Sequence, residues 1–234
     1  MTKTINDRSR GFTLTELAVV MVIVAIMLGG LMVPLSTQRD LQSNRDTQKQ
    51  LADISEALLG YAAAHETTTT PKNPYLPCPD TDNDGFENRG SAGGCTAVEG
   101  RLPWGDLGIG REDAWGNHFR YRVDKNYADR ATGFKLNQIG TLSVCEESTC
   151  AKVLVKEVPV VIVSHGKNGA GAFNTQGGTN AAPSSTDEIA NQDADNSFVQ
   201  RTSTSDAASE FDDIVVWISP YVLINRMLTA GKWP

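Results

Sequence analysis

The segment DTDNDG, which begins at Asp80, places three carboxylates at alternate positions ahead of a glycine. Carboxylate oxygens are the hard ligands that calcium prefers, and this alternation is typical of the first half of an EF-hand loop. The second half is missing, because Ser91 stands where an EF-hand has its bidentate glutamate. Glu87 or backbone carbonyls would have to complete the shell. We expect calcium at Asp80, Asp82 and Asp84, and the alternative is an acidic Asp-Gly turn without an ion.

A single carboxylate, Glu16, precedes an apolar run. No residue from Leu17 to Leu35 has a charged or polar side chain, and as a helix this run is long enough to cross about 30 Å of hydrocarbon. It exceeds the roughly 7 to 15 apolar residues of a secretory signal peptide, and the excess of basic residues before it indicates a cytoplasmic flank. A carboxylate retained at a membrane segment is a functional hypothesis, because burying its charge is costly. Glu16 therefore needs a partner.

Four cysteines permit three disulfide pairings. The chain beyond the apolar run is expected outside the cytoplasm, where disulfides form and persist. Proximity in the sequence suggests that Cys78 pairs with Cys95 and Cys145 with Cys150. A zinc site is the alternative, but the spacing lacks Cys-x-x-Cys and the histidines are scattered.

Two classes of function find little support in the sequence. The net charge is −7 and no run of clustered Lys and Arg appears, which argues against a nucleic-acid partner. An enzyme is also disfavoured, because Ser164 and His165 are sequence neighbours without the pattern of a catalytic triad. The glycine-rich segment that follows them lacks the Lys and Ser or Thr of a phosphate-binding loop. We therefore expect a chain that is not an enzyme.

Hydrophobic periodicity predicts how the elements are arranged. Leu51, Ile54, Leu58 and Tyr61 recur at intervals of three and four, which predicts an amphipathic helix over residues 36–65. Prolines from Pro71 onward end this helix and begin the head. Strands are predicted at 118–123, 134–144, 152–164 and 213–219, and a closing helix at 220–230. Residues 174–209 are poor in aliphatic side chains and are predicted to form a long surface loop. The expected fold class is α+β, a long N-terminal helix packed on a small antiparallel sheet.

The segment GFTLTEL, from Gly11 to Leu17, together with its basic leader and the apolar run, resembles the type IV prepilin signature. The resemblance implies cleavage between Gly11 and Phe12 by a prepilin peptidase, N-methylation of Phe12 and assembly into a filament. It also implies that Glu16 neutralises the Phe12 amine of a neighbouring subunit. The chain then divides into a leader at 1–11, a transmembrane and filament-core helix at 12–35, the amphipathic helix at 36–65 and a periplasmic head at 66–234.

Pieces of the head resemble the type II secretion major pseudopilin: DAWGN from Asp113, SHGKNG from Ser164, and the later pair Asp212 and Asp213. The resemblance implies a calcium ion held by the late glycine-rich loop and these two acidic residues. Asn168 stands where an aspartate is common in that family, and the 174–209 loop is longer than usual. The alternative for Asp212 and Asp213 is a turn at the start of a strand.

These expectations favour a structural subunit of a type II secretion pseudopilus. Its partners would be other pilin-like subunits in a homo- or hetero-filament, a prepilin peptidase and an inner-membrane assembly platform. The chain would cross the inner membrane once, with its N-terminus cytoplasmic and its head periplasmic. Two alternatives remain: a major or minor pilin of a surface type IV pilus, and a membrane-tethered periplasmic binding module that never polymerises.

Overall fold

The computed structural model describes residues 13–206 and 209–233, and within this part it leaves the side chains of residues 28–35 undescribed. The predictions for the leader, Gly11 and Phe12 therefore lie outside the described residues, and in the second half of the predicted apolar span only the backbone is described. The chain divides into two compact units, Met1–Gln42 and Ser43–Pro234.

Five helices and seven strands make up the described part of the chain. The helices are α1 Leu14–Ala64, α2 Trp104–Leu107, α3 Lys125–Ala128, α4 Thr186–Ile189 and α5 Pro220–Thr229. The strands are β1 Glu99–Arg101, β2 Arg120–Val123, β3 Leu142–Cys145, β4 Val153–Val158, β5 Val160–Ser164, β6 Ser197–Val199 and β7 Ile214–Ile218.

The first unit contains the beginning of α1, which is apolar on all sides. Its side chains are exposed on every face, as Val19, Val20 and Met21 show at three successive positions. A helix with this composition is stable when a membrane or other helices surround it. In the residues that the structure describes, no helix meets the combined requirement of length and apolarity for crossing a membrane.

In the second unit, the end of α1 packs one face into the main core. Leu51, Ile54 and Leu58 are almost completely buried, and Tyr61 lies at the edge of the same face. The prediction that this face is buried under the head is therefore confirmed. The opposite core wall comes from Tyr121 of β2 and from α5, which contributes Leu223 and Met227.

The strands form two sheets. One is antiparallel with the order β1-β2-β5-β7, and the other has the order β4-β3-β6, in which β3 and β6 run parallel. Alternate residues of β5 face opposite ways: Val160 and Ile162 pack in the α1 core, whereas Val161 and Val163 pack against the three-stranded sheet. The four-stranded sheet is thus the middle layer, which explains why β5 is an uninterrupted apolar run.

This architecture confirms the α+β class but corrects the single predicted sheet. The predicted strand at 152–164 is two strands in different sheets, because Pro159 has no amide hydrogen for a ladder and Glu157 adopts a φ of 63°. The predicted strand at 134–144 begins only at Leu142. Phe134 is buried instead as part of an aromatic cluster with Tyr127.

The predicted surface loop at 174–209 also differs from expectation. It contains α4 and β6, and four of its residues are nearly inaccessible to solvent: Glu188, Asn191, Phe198 and Val199. Asn191 explains how so polar a segment can be buried, because its side chain donates to the Val199 carbonyl and accepts from the Val199 amide. Polar side chains that satisfy backbone groups in this way remove the cost of desolvating them.

Candidate functional site

Glu16 takes part in a capping box at the beginning of α1. Its Oε2 accepts hydrogen bonds from the Thr13 amide at 2.9 Å and the Thr13 hydroxyl at 2.8 Å, and the Thr13 hydroxyl accepts from the Glu16 amide at 3.3 Å. This reciprocal arrangement satisfies amides that the first helical turn leaves without partners. Sequence analysis did not single out Thr13, although the Thr-x-x-Glu spacing is the signal for such a box.

The acidic loop, residues 80–85, brings together the three predicted aspartates. Asp80 is completely buried whereas Asp82 and Asp84 are exposed, and one oxygen of each lies within 4.8 Å of the others. The backbone folds tightly here because Asn83 and Gly85 adopt φ values of 68° and 90°. A Cβ on Gly85 would lie 2.5 Å from the Trp104 ring, so only glycine fits.

The acidic loop is already closed by its own amides. Asp80 accepts from the amides of Asp82, Asn83 and Gly85 at 2.7–3.1 Å, which is how an aspartate stabilises a turn without an ion. Glu87 does not face the three aspartates: its Oε2 accepts from the Cys78 amide and its Oε1 pairs with Arg89. The interpretation that Glu87 completes a calcium shell is therefore not supported by its contacts.

The late acidic cluster consists of Asp212, Asp213 and Glu188. One carboxylate oxygen from each lies within 4.8 Å of the others. Asp212 and Asp213 directly precede β7, as the sequence predicts, but Glu188 comes from α4 and was not predicted. The sequence carries no signal for Glu188, since it lies 24 residues before Asp212 in a segment that reads as a surface loop.

Hydrogen bonds fix the geometry of the late acidic cluster. The Asp212 amide donates to Glu188 Oε1 at 3.1 Å, and the Asn168 amide donates to Asp212 Oδ2 at 2.8 Å. Asn191 Nδ2 donates to Asp213 Oδ2 at 2.8 Å. One oxygen of each aspartate, Oδ1 in both, is buried without a hydrogen bond in the described structure. A buried carboxylate oxygen without a donor costs free energy unless a cation or a proton satisfies it.

Burial and mutual repulsion raise two pKa values in this cluster. Burial, with the nearby Asp213 charge, raises the pKa of Glu188 to about 7. Burial raises the pKa of Asp212 to about 6, and the charges of Asp213 and Glu210 act in the same direction. Both shifts show that this environment disfavours bringing the negative charges together without a compensating cation.

A buried polar chain leads from β2 to the late acidic cluster. Glu99 pairs with Arg120 at 2.7 Å, and Arg120 Nε donates to His165 Nε2 at 3.1 Å. The proton of the neutral ring is then on Nδ1, which lies 3.3 Å from Asp213 Oδ1. These two atoms form no hydrogen bond in the described structure, so the hydrogen-bonded chain ends at His165, beside Asp213.

The two head segments singled out in the sequence lie side by side. The Ser164 hydroxyl donates to Asp113 Oδ2 at 2.6 Å, and Asn117 Nδ2 donates to the Gly166 carbonyl at 3.1 Å. Gly166 has a φ of 56°, and a Cβ there would lie 2.3 Å from the Asp212 carbonyl oxygen. Glycine is therefore required for the loop to approach the late acidic cluster.

Both cysteine pairs form disulfides in the described structure. Cys78 joins Cys95 and Cys145 joins Cys150, the pairing that sequence proximity suggests. The first bridge closes the segment that contains the acidic loop, and the second closes the short connection between β3 and β4. No free cysteine remains among the described residues, so this part of the chain offers no thiolate for zinc.

The second unit packs the end of a long N-terminal helix against a sheet-containing head, and this α+β arrangement fits a pilin-like fold. Residues 6–32 match the family model described as the prokaryotic N-terminal methylation motif. The chain therefore carries the type IV pilin-like signature. The motif implies processing by a prepilin peptidase, a membrane-anchored N-terminus and assembly with other pilin-like subunits. Neither the search of curated proteins nor that of solved structures finds a significant match.

Proposed function

We propose that this chain is a structural subunit of a type II secretion pseudopilus, anchored in the inner membrane by a single span with its head in the periplasm. The observation that carries the proposal is the methylation motif at residues 6–32, which includes the apolar beginning of α1. The head segments around Asp113, Ser164 and Asp212 favour a pseudopilus over a surface pilus, because they resemble those of the major pseudopilin.

Assembly would depend on the charge of Glu16. Cleavage before Phe12 creates an amine that enters an apolar filament core, where an unpaired charge is unfavourable. Glu16 of a neighbouring subunit would neutralise it and set the axial register. Removing one partner of a buried ion pair typically costs about 3 to 5 kcal/mol, which is a factor of hundreds or more in an assembly equilibrium.

The capping box allows the charge of Glu16 to be separated from its role in the helix. Glu16→Gln keeps an oxygen that can accept from Thr13 but removes the charge, whereas Thr13→Ala removes the hydroxyl but keeps the charge. In cells that lack the wild-type copy, we expect Glu16→Gln to be cleaved and methylated but absent from the filaments that chemical cross-linking of whole cells captures with the wild-type chain. Thr13→Ala should still assemble, with a helix start weakened by about 1 kcal/mol.

The opposite pattern would contradict the pairing role. If Glu16→Gln enters filaments as well as wild type and Thr13→Ala does not, Glu16 acts through the capping box alone. Pseudopilus function is tested in the same strains by secretion. Loss of the chain should stop export of the secreted proteins while any surface pili remain, and loss of pili with normal export would favour the alternative pilin.

The proposed role is structural rather than catalytic. Ser164 and His165 are both completely buried, and the Ser164 hydroxyl is engaged by Asp113. A nucleophile needs access to its substrate, and the buried Ser164 has none in the described structure. These contacts support a structural role for both residues.

Calcium is the proposed cofactor, at the acidic loop and at Asp212 with Asp213. An ion that binds only the folded chain stabilises it by RT ln(1 + [L]/Kd), about 2.7 kcal/mol at a hundredfold excess over Kd. Added calcium should therefore raise the melting temperature of the EGTA-treated chain. Persistence of the full shift in Asp82→Asn/Asp84→Asn would dismiss the acidic loop, and persistence in Asp213→Asn would dismiss the late site.

A further inference from the structure

The segment of residues 174–209, called the inserted segment below, places the carboxylate of Glu188 against the backbone that leads into β7. Helix α4 carries Glu188, which is only 1% exposed although it lies in a segment rich in small polar residues. Its Oε1 accepts from the Asp212 amide, so the backbone before β7 and the side chain of α4 are in direct contact. A buried, charged residue in such a segment requires compensation.

Asn168 stands where the resembled family commonly has an aspartate, and its own contacts show whether it can act as a ligand. The Asn168 side-chain oxygen accepts from the Ala170 amide at 2.8 Å, so it is used within its own loop. Its Nδ2 donates to Glu188 Oε1 at 3.1 Å. Asn168 therefore presents a donor rather than a ligand to the cluster, and the third carboxylate comes from Glu188.

Two buried oxygens without hydrogen-bond donors point to a cation site independently of the clustering of the carboxylates. Asp213 has a side chain that is 0% exposed, and its Oδ1 forms no hydrogen bond in the described structure; the nearest imidazole nitrogen, His165 Nδ1, lies 3.3 Å away. Asp212 Oδ1 is likewise buried without a donor. Glu188 has no such free oxygen, because both of its oxygens accept hydrogen bonds. One oxygen from each of the three carboxylates lies within 4.8 Å of the others, and such a group suits a hard divalent cation that accepts flexible carboxylate geometry.

We infer that Glu188 is a ligand of the calcium ion shared with Asp212 and Asp213, and that this ion holds the inserted segment against the head. The inference rests on the calcium proposed above for the late site. To that proposal it adds Glu188 of α4 as a ligand. It follows that α4 should be better ordered when calcium is bound. Asn191, which bridges Asp213 to the Val199 backbone, carries the same restraint into β6.

The test measures calcium affinity and local order in one preparation. The full-length chain in detergent is stripped with EGTA, and calcium binding is followed by equilibrium dialysis and by hydrogen exchange of residues 186–191. Calcium should slow exchange of the Ile189, Ala190 and Asn191 amides, which are bonded within α4 and its C-terminal turn. Glu188→Gln should weaken calcium binding at this site about tenfold or more and remove the slowing.

Two further variants make the result specific. Glu210→Gln removes a negative charge close to Asp212 without removing a member of the cluster, and it should retain both binding and slowed exchange. Glu188→Asp keeps the charge but shortens the side chain by one methylene, so it should also bind calcium more weakly than wild type. Hydrogen exchange of the β5 amides, measured in each variant without calcium, reports whether the head remains folded.

The outcomes separate this inference from the proposals on which it rests. If Asp212→Asn abolishes the late site but Glu188→Gln binds with wild-type affinity, Glu188 is not a ligand and the calcium proposal stands. If calcium binds at the late site and exchange in 186–191 does not change, the restraint on the inserted segment is wrong. If Asp212→Asn alters no binding at all, the late site itself is wrong, while the filament role is still decided by the Glu16 variants.

Discussion

The disulfide between Cys78 and Cys95 should contribute more to stability than the one between Cys145 and Cys150. The two bridges join residues separated by 17 and 5 positions. A bridge restricts the unfolded chain more when it closes a longer loop, which gives about 3 kcal/mol for the first and about 2 kcal/mol for the second at 25 °C. Cys78 and Cys145 are both completely buried, so replacing either disulfide removes one buried sulfur and the packing cost should be similar in the two variants.

The comparison uses two matched double variants, Cys78→Ala/Cys95→Ala and Cys145→Ala/Cys150→Ala. Urea unfolding of the full chain in detergent is followed by tryptophan fluorescence, since all four tryptophans lie beyond residue 100 and report on the head. The free energy of unfolding should fall by about 1 kcal/mol more in the first variant. Equal losses, or a larger loss in the second, would refute the loop-length reasoning.

The same pair of variants tests what the first bridge does locally. Asp80, Asp82 and Asp84 all lie inside the loop that Cys78 and Cys95 close. Removing the bridge frees the segment that contains the acidic loop, so binding of the proposed calcium ion would have to restrict more chain motion and its affinity should fall. The Cys145→Ala/Cys150→Ala variant should bind there as wild type does, and weaker binding in both would indicate a general loss of folding instead.

Three shorter predictions concern the core, pH and processing. Leu58→Ala should lower the free energy of unfolding by about 2 to 5 kcal/mol because the side chain is completely buried, whereas the exposed Leu41→Ala should change it by no more than about 0.5 kcal/mol in the same urea titration. Burial, with Arg111 nearby, lowers the pKa of His118 below 6.5. Below about pH 6.5 the unfolded chain therefore binds a proton that the folded chain does not, and the melting temperature should fall as the pH drops. His118→Gln should reduce this fall in melting temperature. Gly11→Leu should block leader removal, visible as a larger band on a gel, and normal cleavage of this variant would contradict the assigned junction.

Local sequence patterns predicted the helix and the strand whose own residues show which side chains are buried. The spacing of Leu51, Ile54 and Leu58 identifies the buried face of α1, because a helix repeats every 3.6 residues whatever packs against it. The β-branched run of β5 likewise predicted a strand there, because β-branched side chains favour strands, but it did not separate β5 from β4. The division into two sheets could not be predicted this way, since it depends on how Pro159 interrupts one ladder and on a parallel pairing between β3 and β6.

The candidate sites show the same limit. The cluster of Asp80, Asp82 and Asp84 was found from spacing because all three aspartates lie within one turn of chain. Glu188 was missed because its neighbours Asp212 and Asp213 become close only after the inserted segment folds, and a composition rich in Ser, Thr and Asn reads as solvent-exposed. Hydrogen bonds such as those of Asn191 bury polar residues that no hydrophobic pattern marks.

The central claim is that this chain is processed and assembled as a type IV pilin-like subunit, and the mass of the mature protein tests it most directly. The full-length chain is expressed in a host with a prepilin peptidase, extracted from membranes and measured intact. We predict the loss of Met1 to Gly11 and the addition of one methyl group, located by fragmentation on the amine of Phe12. A mature chain that still carries Met1 to Gly11, while a known prepilin in the same cells is cleaved, would contradict the account.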